Sequence, residues 1–344
     1  MRFSIRPGRP PRATTTGLVL LVMAAAVVAL GIGRYGIPLT RVVGIILAPI
    51  VPPVEPVGAT EANVVFTIRL PRILLALMSG ASLSLAGATL QGVFRNPLIG
   101  PQVIGVSSGA AFGGTLAILL GATHVGLLGS AFACGVAAIV LVYALNDVIA
   151  RRNILALVLA GVVINGFFTA LVSLVQYVAD SEDTLPTIVF WLMGSFATAS
   201  WDKLNLVAVP MLAGCGLLLA LRWRINILSL GDEEARALGI KVERLRWFVL
   251  VLVAVVVAAQ VAVSGIIGWI GLVVPHMARI LVGPDHRSLM PASLLIGALF
   301  LLIIDTVART LTATEIPLGI LTALIGAPVF ALLLRKTERG GHDG

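Results

Sequence analysis
Two long stretches without one acid or strong base limit what this chain can become. Residues 96–146 and 247–278 contain no Asp, Glu, Lys or Arg. The whole sequence is 58% hydrophobic and 12% charged, far from the balance of soluble globular domains. Uncharged runs of roughly 20 residues read as transmembrane helices. Ten are expected, near 14–33, 70–93, 103–121, 126–146, 154–178, 204–221, 247–263, 268–282, 289–308 and 316–334. The run 247–278 is too long for one span and short for two. Gly265, Gly268 and Gly271, followed by Pro275, predict a full helix and a short second one, the pattern of an interrupted segment lining a cavity. The run 96–146 must turn between Gly121 and Gly126. The reading is an all-α polytopic membrane protein with one ten-helix domain over 14–334, between tails at 1–13 and 335–344.

Ten spans place both termini on one side, and the basic residues test which side. With the N-terminus inside, inner segments hold Arg2, Arg6, Arg9, Arg12, Arg95, Arg151, Arg152, Arg222, Arg224, Arg236, Lys241, Arg244, Arg246, Arg279, Arg287, Arg335, Lys336 and Arg339. Outer segments hold only Arg34, Arg41, Arg69, Arg72, Lys203 and Arg309. That 18-to-6 split of the 24 basic residues follows the positive-inside rule. The net charge of +8 is therefore topological and no sign of nucleic-acid binding. The Arg-rich start resembles a secretory signal, yet no convincing cleavage site follows it, so a retained first helix is expected.

One charge-dense segment, Ser229 to Arg246, interrupts the apolar pattern on the inner side. Ser229 and Asp232 have capping-box spacing, predicting a helix from about Leu230. Asp232, Glu233 and Glu234 suit the positive end of its dipole, and Gly239 is placed to stop it. A helix of about nine residues spans roughly 14 Å, too short to cross a bilayer. It is either a solvated loop with a helical turn or a docking helix for a soluble partner.

Other motifs weigh against alternatives. The four histidines show no metal-ligand spacing, and Cys134 and Cys215 read as small buried hydrophobes. Gly105-Val-Ser-Ser-Gly109 has serine-hydrolase form but no preceding strand and no evident triad partners. None of Lys203, Lys241 and Lys336 lies in a phosphate-binding loop, so the chain has no ATPase site of that kind. Gly80, Ser84, Ala88 and Gly92 form a small-residue stripe in span 2, fit for helix packing or for lining a pathway. Asp305 in span 9 would be costly alone, and an i, i+4 pair with Arg309 is the expected remedy. A secondary transporter driven by an ion gradient stays open as an alternative, although intramembrane acids are scarce.

Several pieces together resemble the permease subunits of ABC importers for iron chelates, haem and cobalamin. They are Ile68-Arg-Leu-Pro-Arg72, Phe94-Arg-Asn-Pro-Leu98, Leu159-Ala-Gly161, Trp191-Leu-Met-Gly-Ser-Phe196, Leu228 to Gly239, Gly271-Leu-Val-Val-Pro-His276, Asp285-His-Arg287, Asp305-Thr-Val-Ala-Arg309 and Gly326-Ala-Pro-Val-Phe330. The resemblance implies a type II importer permease fold in a bacterial inner membrane, with both termini cytoplasmic. It implies a homodimer with the pathway on its axis, two ATP-binding subunits inside and a periplasmic binding protein outside. The chain itself would bind no cofactor, ATP and Mg belonging to the partner. A coupling helix falls at about 229–243, with Gly231, Asp232, Glu233, Glu234, Ala235, Arg236, Leu238 and Gly239 facing the ATPase. Arg69, Arg72 and Arg309 match positions that pair with carboxylates of the binding protein. Asn96 and Leu98, with Ile154 and Leu155, match a cytoplasmic gate. That second pair is apolar here and hydroxyl-bearing in the cobalamin member, which weighs against cobalamin. Ferric siderophore is the first expected cargo and haem the second.

Overall fold
The structure, a computed structural model, describes residues 12–48, 50, 57–149 and 154–342. The expected tail charges Arg2, Arg6 and Arg9, and Arg151 and Arg152, lie outside them. Among the described residues the chain is helical without strands. In order, the helices are α1 (Arg12–Gly31), α2 (Leu39–Leu47), α3 (Ala59–Asn63), α4 (Leu70–Phe94), α5 (Val106–Leu119), α6 (His124–Ile149) and α7 (Ile154–Val178). Then come α8 (Thr184–Leu192), α9 (Trp201–Ala220), α10 (Arg222–Leu228), α11 (Asp232–Ala237), α12 (Val242–Ser264), α13 (Ile270–Val282), α14 (His286–Ala308) and α15 (Leu318–His342). Seven helices are long and apolar enough to cross a membrane, and α5, α13 and α15 supply shorter apolar ones. Each of the ten expected spans corresponds to one of these. The short helices α2, α3 and α8 lie outside the ten expected spans.

Span 2 is longer than its hydropathy suggests. A wide π turn at Val64–Arg69 joins α3 to α4, giving a continuous rod of 36 residues, Ala59–Phe94. At 1.5 Å per residue that is about 54 Å, well beyond the hydrocarbon core, so one end must project from it. Pro71 lies in the first turn of α4, inside this rod. The π turn makes room: Leu70 donates its N–H five residues back to Val65. Proline has no N–H to offer the preceding turn. The Phe66 carbonyl instead accepts the Trp201 indole N–H of α9 at 2.9 Å.

The rod is the centre of the fold, packed by α14, α13, α12 and α9. Its small residues allow this. A Cβ on Gly80 would lie 2.1 Å from the Gly297 carbonyl oxygen of α14, and one on Gly87 would lie 1.8 Å from that of Gly271 in α13. Both obstacles are backbone and cannot rotate away. Gly87→Ala is therefore expected to destabilise the protein by about 1–3 kcal/mol, the usual cost of overpacking. Gly216→Ala, which would meet nothing within 4 Å, is the neutral control. Thermal unfolding of both variants in detergent checks the contrast.

The break after α12 falls at Gly265 (φ 69°) and Trp269 (φ 68°). Gly271, expected to help break the segment, is helical and provides close packing instead. The broken backbone is satisfied by its neighbours. Ser195 N–H donates to the Ser264 carbonyl at 2.8 Å, and the first amides of α15, Leu318 and Gly319, donate to Gly194 and Met193.

Candidate functional site
The charge-dense segment folds into α11, shorter than expected and capped differently. Ser229 ends α10, and its hydroxyl donates backward to the Asn226 carbonyl at 2.7 Å, so the capping box does not form. Gly231 takes the N-cap at φ 153°, where a Cβ would sit 1.9 Å from a Glu234 carboxylate oxygen. Three acids occupy the first turn, as the dipole favours. Gly239 ends the helix as expected, at φ 79°. Its N–H reaches Arg236 O at 2.9 Å and the Ile240 N–H reaches Ala235 O at 3.0 Å, a Schellman closure.

This six-residue helix is fastened at both ends. Asp232 accepts from buried Arg246 of α12 at 2.9 Å and lies 3.7 Å from Arg95 at the end of α4. Arg236 donates to Glu243 at 2.8 Å. Ala235 is fully buried, whereas Glu233, Glu234, Arg236 and Leu238 face outward. The result is a short polar rod standing clear of the spans and tied to two of them. The clasp links α11 to Arg95, whose left-handed backbone (φ 52°) starts the turn after α4. That turn carries both residues of the first expected gate pair. Asn96 Oδ1 accepts from Leu98 N–H at 2.9 Å, and the Leu98 side chain is half exposed. Of the second pair, Leu155 is exposed near the start of α7, and the Ile154 side chain lies outside the described residues.

The outer arginines are not free cations. Arg72 is buried and donates to Asp305 from Nε and Nη2 at 2.9–3.1 Å, while Nη1 and the same Nη2 donate to Glu315 at 2.8 and 2.9 Å. Arg309 is buried, donates to the Ala29 carbonyl at 2.7 Å, and stands 3.9 Å from Asp305. Arg69 is buried, donating to the Leu30 carbonyl at 2.6 Å and also to that of Tyr35. One expectation needs correction. The main partner of Asp305 is Arg72 on another helix, because a bidentate contact outweighs the long i, i+4 approach of Arg309. The three guanidinium groups, expected to meet carboxylates of a binding protein, make these contacts within the chain: Arg69 and Arg309 to α1, and Arg72 to Asp305 and Glu315.

Of the two readings of the α4 stripe, the geometry within this chain shows helix packing. Gly80, Ser84 and Ala88 are buried, and Ser84 Oγ donates to the carbonyls of Gly80 at 2.7 Å and Ser293 at 2.8 Å. Gly80 and Ser84 pack against α14. The polar opening is elsewhere, a cleft of about 450 Å³ between α5, α7 and the broken segment. Asn165, Thr169, Ser173 and Gln176 of α7 line it, facing Gln102, Ser107 and Ser108. The sequence carried a signal for it that went unread: the four α7 residues fall at i, i+4, i+8 and i+11, one polar face on an apolar helix. Ile266 in the break also lines the cleft, in keeping with an interrupted segment at a cavity. No lining side chain is charged, so the cleft offers hydrogen-bonding groups and shape rather than charge.

A ten-span helical bundle with a broken span and a clasped polar helix has the architecture of an ABC transporter permease. Over 94% of this chain and 99% of the other, it superposes with a TM-score of 0.86 and 48% identity on a solved structure described as an inward-facing conformation of a putative metal-chelate type ABC transporter. Residues 18–336 match the FecCD transport family, and the chain belongs to it. It is 50% identical over 328 residues to the molybdate import system permease protein MolB of Haemophilus influenzae, covering 95% of this chain and 96% of that one. It is 43% identical over 275 residues to a probable iron chelatin transport system permease protein of Helicobacter pylori, covering 80% and 83%.

Proposed function
We propose that this chain is the transmembrane half of an ATP-driven importer, working as a homodimer, in which α11 receives the stroke of a separate ATP-hydrolysing subunit. The observation that carries the reading is the clasp of Asp232 to Arg246 and Arg95, which joins an exposed docking helix to the turn bearing Asn96 and Leu98. ATP and Mg belong to the partner. A second copy would cover the apolar face of α7, where Val162, Val163, Phe167 and Tyr177 are exposed, and would complete the cleft. The buried arginines would serve a periplasmic binding protein indirectly, by fixing the outer ends of α1, α4 and α14.

The inner-membrane orientation, with both termini cytoplasmic, rests on the 18-to-6 split of basic residues. Single cysteines replacing Glu233 and Ser181, in a background lacking Cys134 and Cys215, are expected to label from opposite faces. Ser181→Cys should react with an impermeant thiol reagent in intact cells and Glu233→Cys only after lysis. Labelling of both from outside contradicts the ten-span reading.

For cargo, the relatives favour a metal-centred solute, and the extent of the match to the molybdate permease raises a small metal oxyanion above a ferric siderophore. An uncharged cleft of amides and hydroxyls suits a hydrogen-bonding oxyanion already selected by a binding protein. Uptake of labelled molybdate and of a ferric siderophore by the reconstituted importer tests the order. Accumulation of molybdate alone supports the oxyanion, and accumulation of the siderophore alone overturns it.

A further inference from the structure
Beside α11 lies a groove that shares the Leu238–Lys241 turn with the expected coupling segment but whose cationic wall is not among the expected ATPase contacts. It has a volume of about 470 Å³ and runs between α10, the Leu238–Lys241 turn and the first turns of α12. Arg224, Lys241 and Arg244 line it, all exposed and, among the described residues, without an acidic partner. The flanking acids are committed elsewhere, Asp232 to Arg246 and Glu243 to Arg236. Trp223 and Phe248 complete the walls, both about half exposed.

The position narrows the ligand. α9 ends at Ala220 and α12 starts at Val242, so the groove sits where two spans leave the hydrocarbon. Exposed aromatic rings at that level are the usual anchors of the membrane interface. Three unpaired cations between them form a pocket for a phosphodiester whose acyl chains run along the apolar flank of α12. Exposed Phe248 and Val251 continue that flank toward the bilayer.

We propose that this groove binds the headgroup of an anionic phospholipid, and that the lipid braces the turn closing α11. Lipid binding is independent of the cargo reading; only the placement in the cytoplasmic leaflet rests on the proposed orientation. A free phosphate would engage the same cations but would gain nothing from the aromatic walls or from α12.

The test uses the purified full-length permease in mixed micelles of phosphatidylcholine and phosphatidylglycerol, with lipid retention read by native mass spectrometry. Wild type is expected to retain phosphatidylglycerol selectively. Arg224→Gln with Lys241→Gln and Arg244→Gln is expected to weaken retention roughly tenfold or more, from the attraction each cation contributes. Arg224→Lys with Arg244→Lys keeps the charges and should retain the lipid, which shows that the positions tolerate change. Inorganic phosphate at millimolar concentration should displace little lipid. Full displacement by phosphate overturns the proposal in favour of a free-anion site. Unchanged lipid retention in the triple Gln variant, with loss of the ATP-binding subunit, overturns it in favour of a protein contact.

Discussion

Asp305→Ala is expected to leave little well-folded protein. Asp305 is fully buried, with the Arg72 guanidinium clamped on its carboxylate and Arg309 at 3.9 Å. Removing the acid leaves two buried guanidinium groups near one another, with only Glu315 and the Ala29 carbonyl as partners. Breaking a buried pair from one side costs about 3–5 kcal/mol, a large part of a typical folding stability. The double change Arg72→Leu with Asp305→Leu should recover much of the loss, since apolar replacement of both partners is often neutral. Glu315→Gln should cost less than about 1 kcal/mol, because that carboxylate is partly open to solvent. Yield of monodisperse protein and the unfolding midpoint in detergent check the order. An Asp305→Ala protein as stable as wild type would show that the cluster does not hold α4 and α14 together.

Ala235→Pro is expected to abolish association with the ATP-binding subunit while the spans still fold. The Ala235 N–H donates to Gly231 O at 3.0 Å and its methyl group is fully buried, so proline removes a bond and clashes with its own turn. The cost is about 3 kcal/mol or more, more than so short a helix can absorb. Transport should be lost with the partner. Asp232→Ala, which unties Arg246 and Arg95 but keeps the helix backbone, should reduce both less. Glu233→Ala, an exposed change, should reduce them least. Co-purification of the ATP-binding subunit ranks the three, and full retention by Ala235→Pro would remove α11 from the coupling path.

These two sites differ in how readable they were. The ends of α11 are local matters: Gly239 and the acidic first turn could be named because dipole and cap act within one turn. Ser229 misled because its hydroxyl had two choices, forward to α11 or back to Asn226, and α10 took it. The spans were legible for the same local reason, as runs without charge. The Arg72–Asp305 contact was not, since 233 residues separate the partners and only helix packing brings them together. The Gly80–Ser84–Ala88 stripe marked close contact but could not say whether a neighbour or a pathway filled it. Ser293 and Gly297 of α14 are the answer. The π turn before Pro71 was not legible, and the Trp201 indole that meets its Phe66 carbonyl lies 135 residues away.

The central claim is that transport through this chain is driven by ATP hydrolysed on a partner and not by an ion gradient. Proteoliposomes containing the permease, its ATP-binding subunit and internal ATP, with the binding protein and labelled cargo outside, test it directly. Uptake should require ATP and persist when ionophores collapse every gradient. Uptake without ATP, driven by an imposed proton or sodium gradient and abolished by ionophores, would contradict the account.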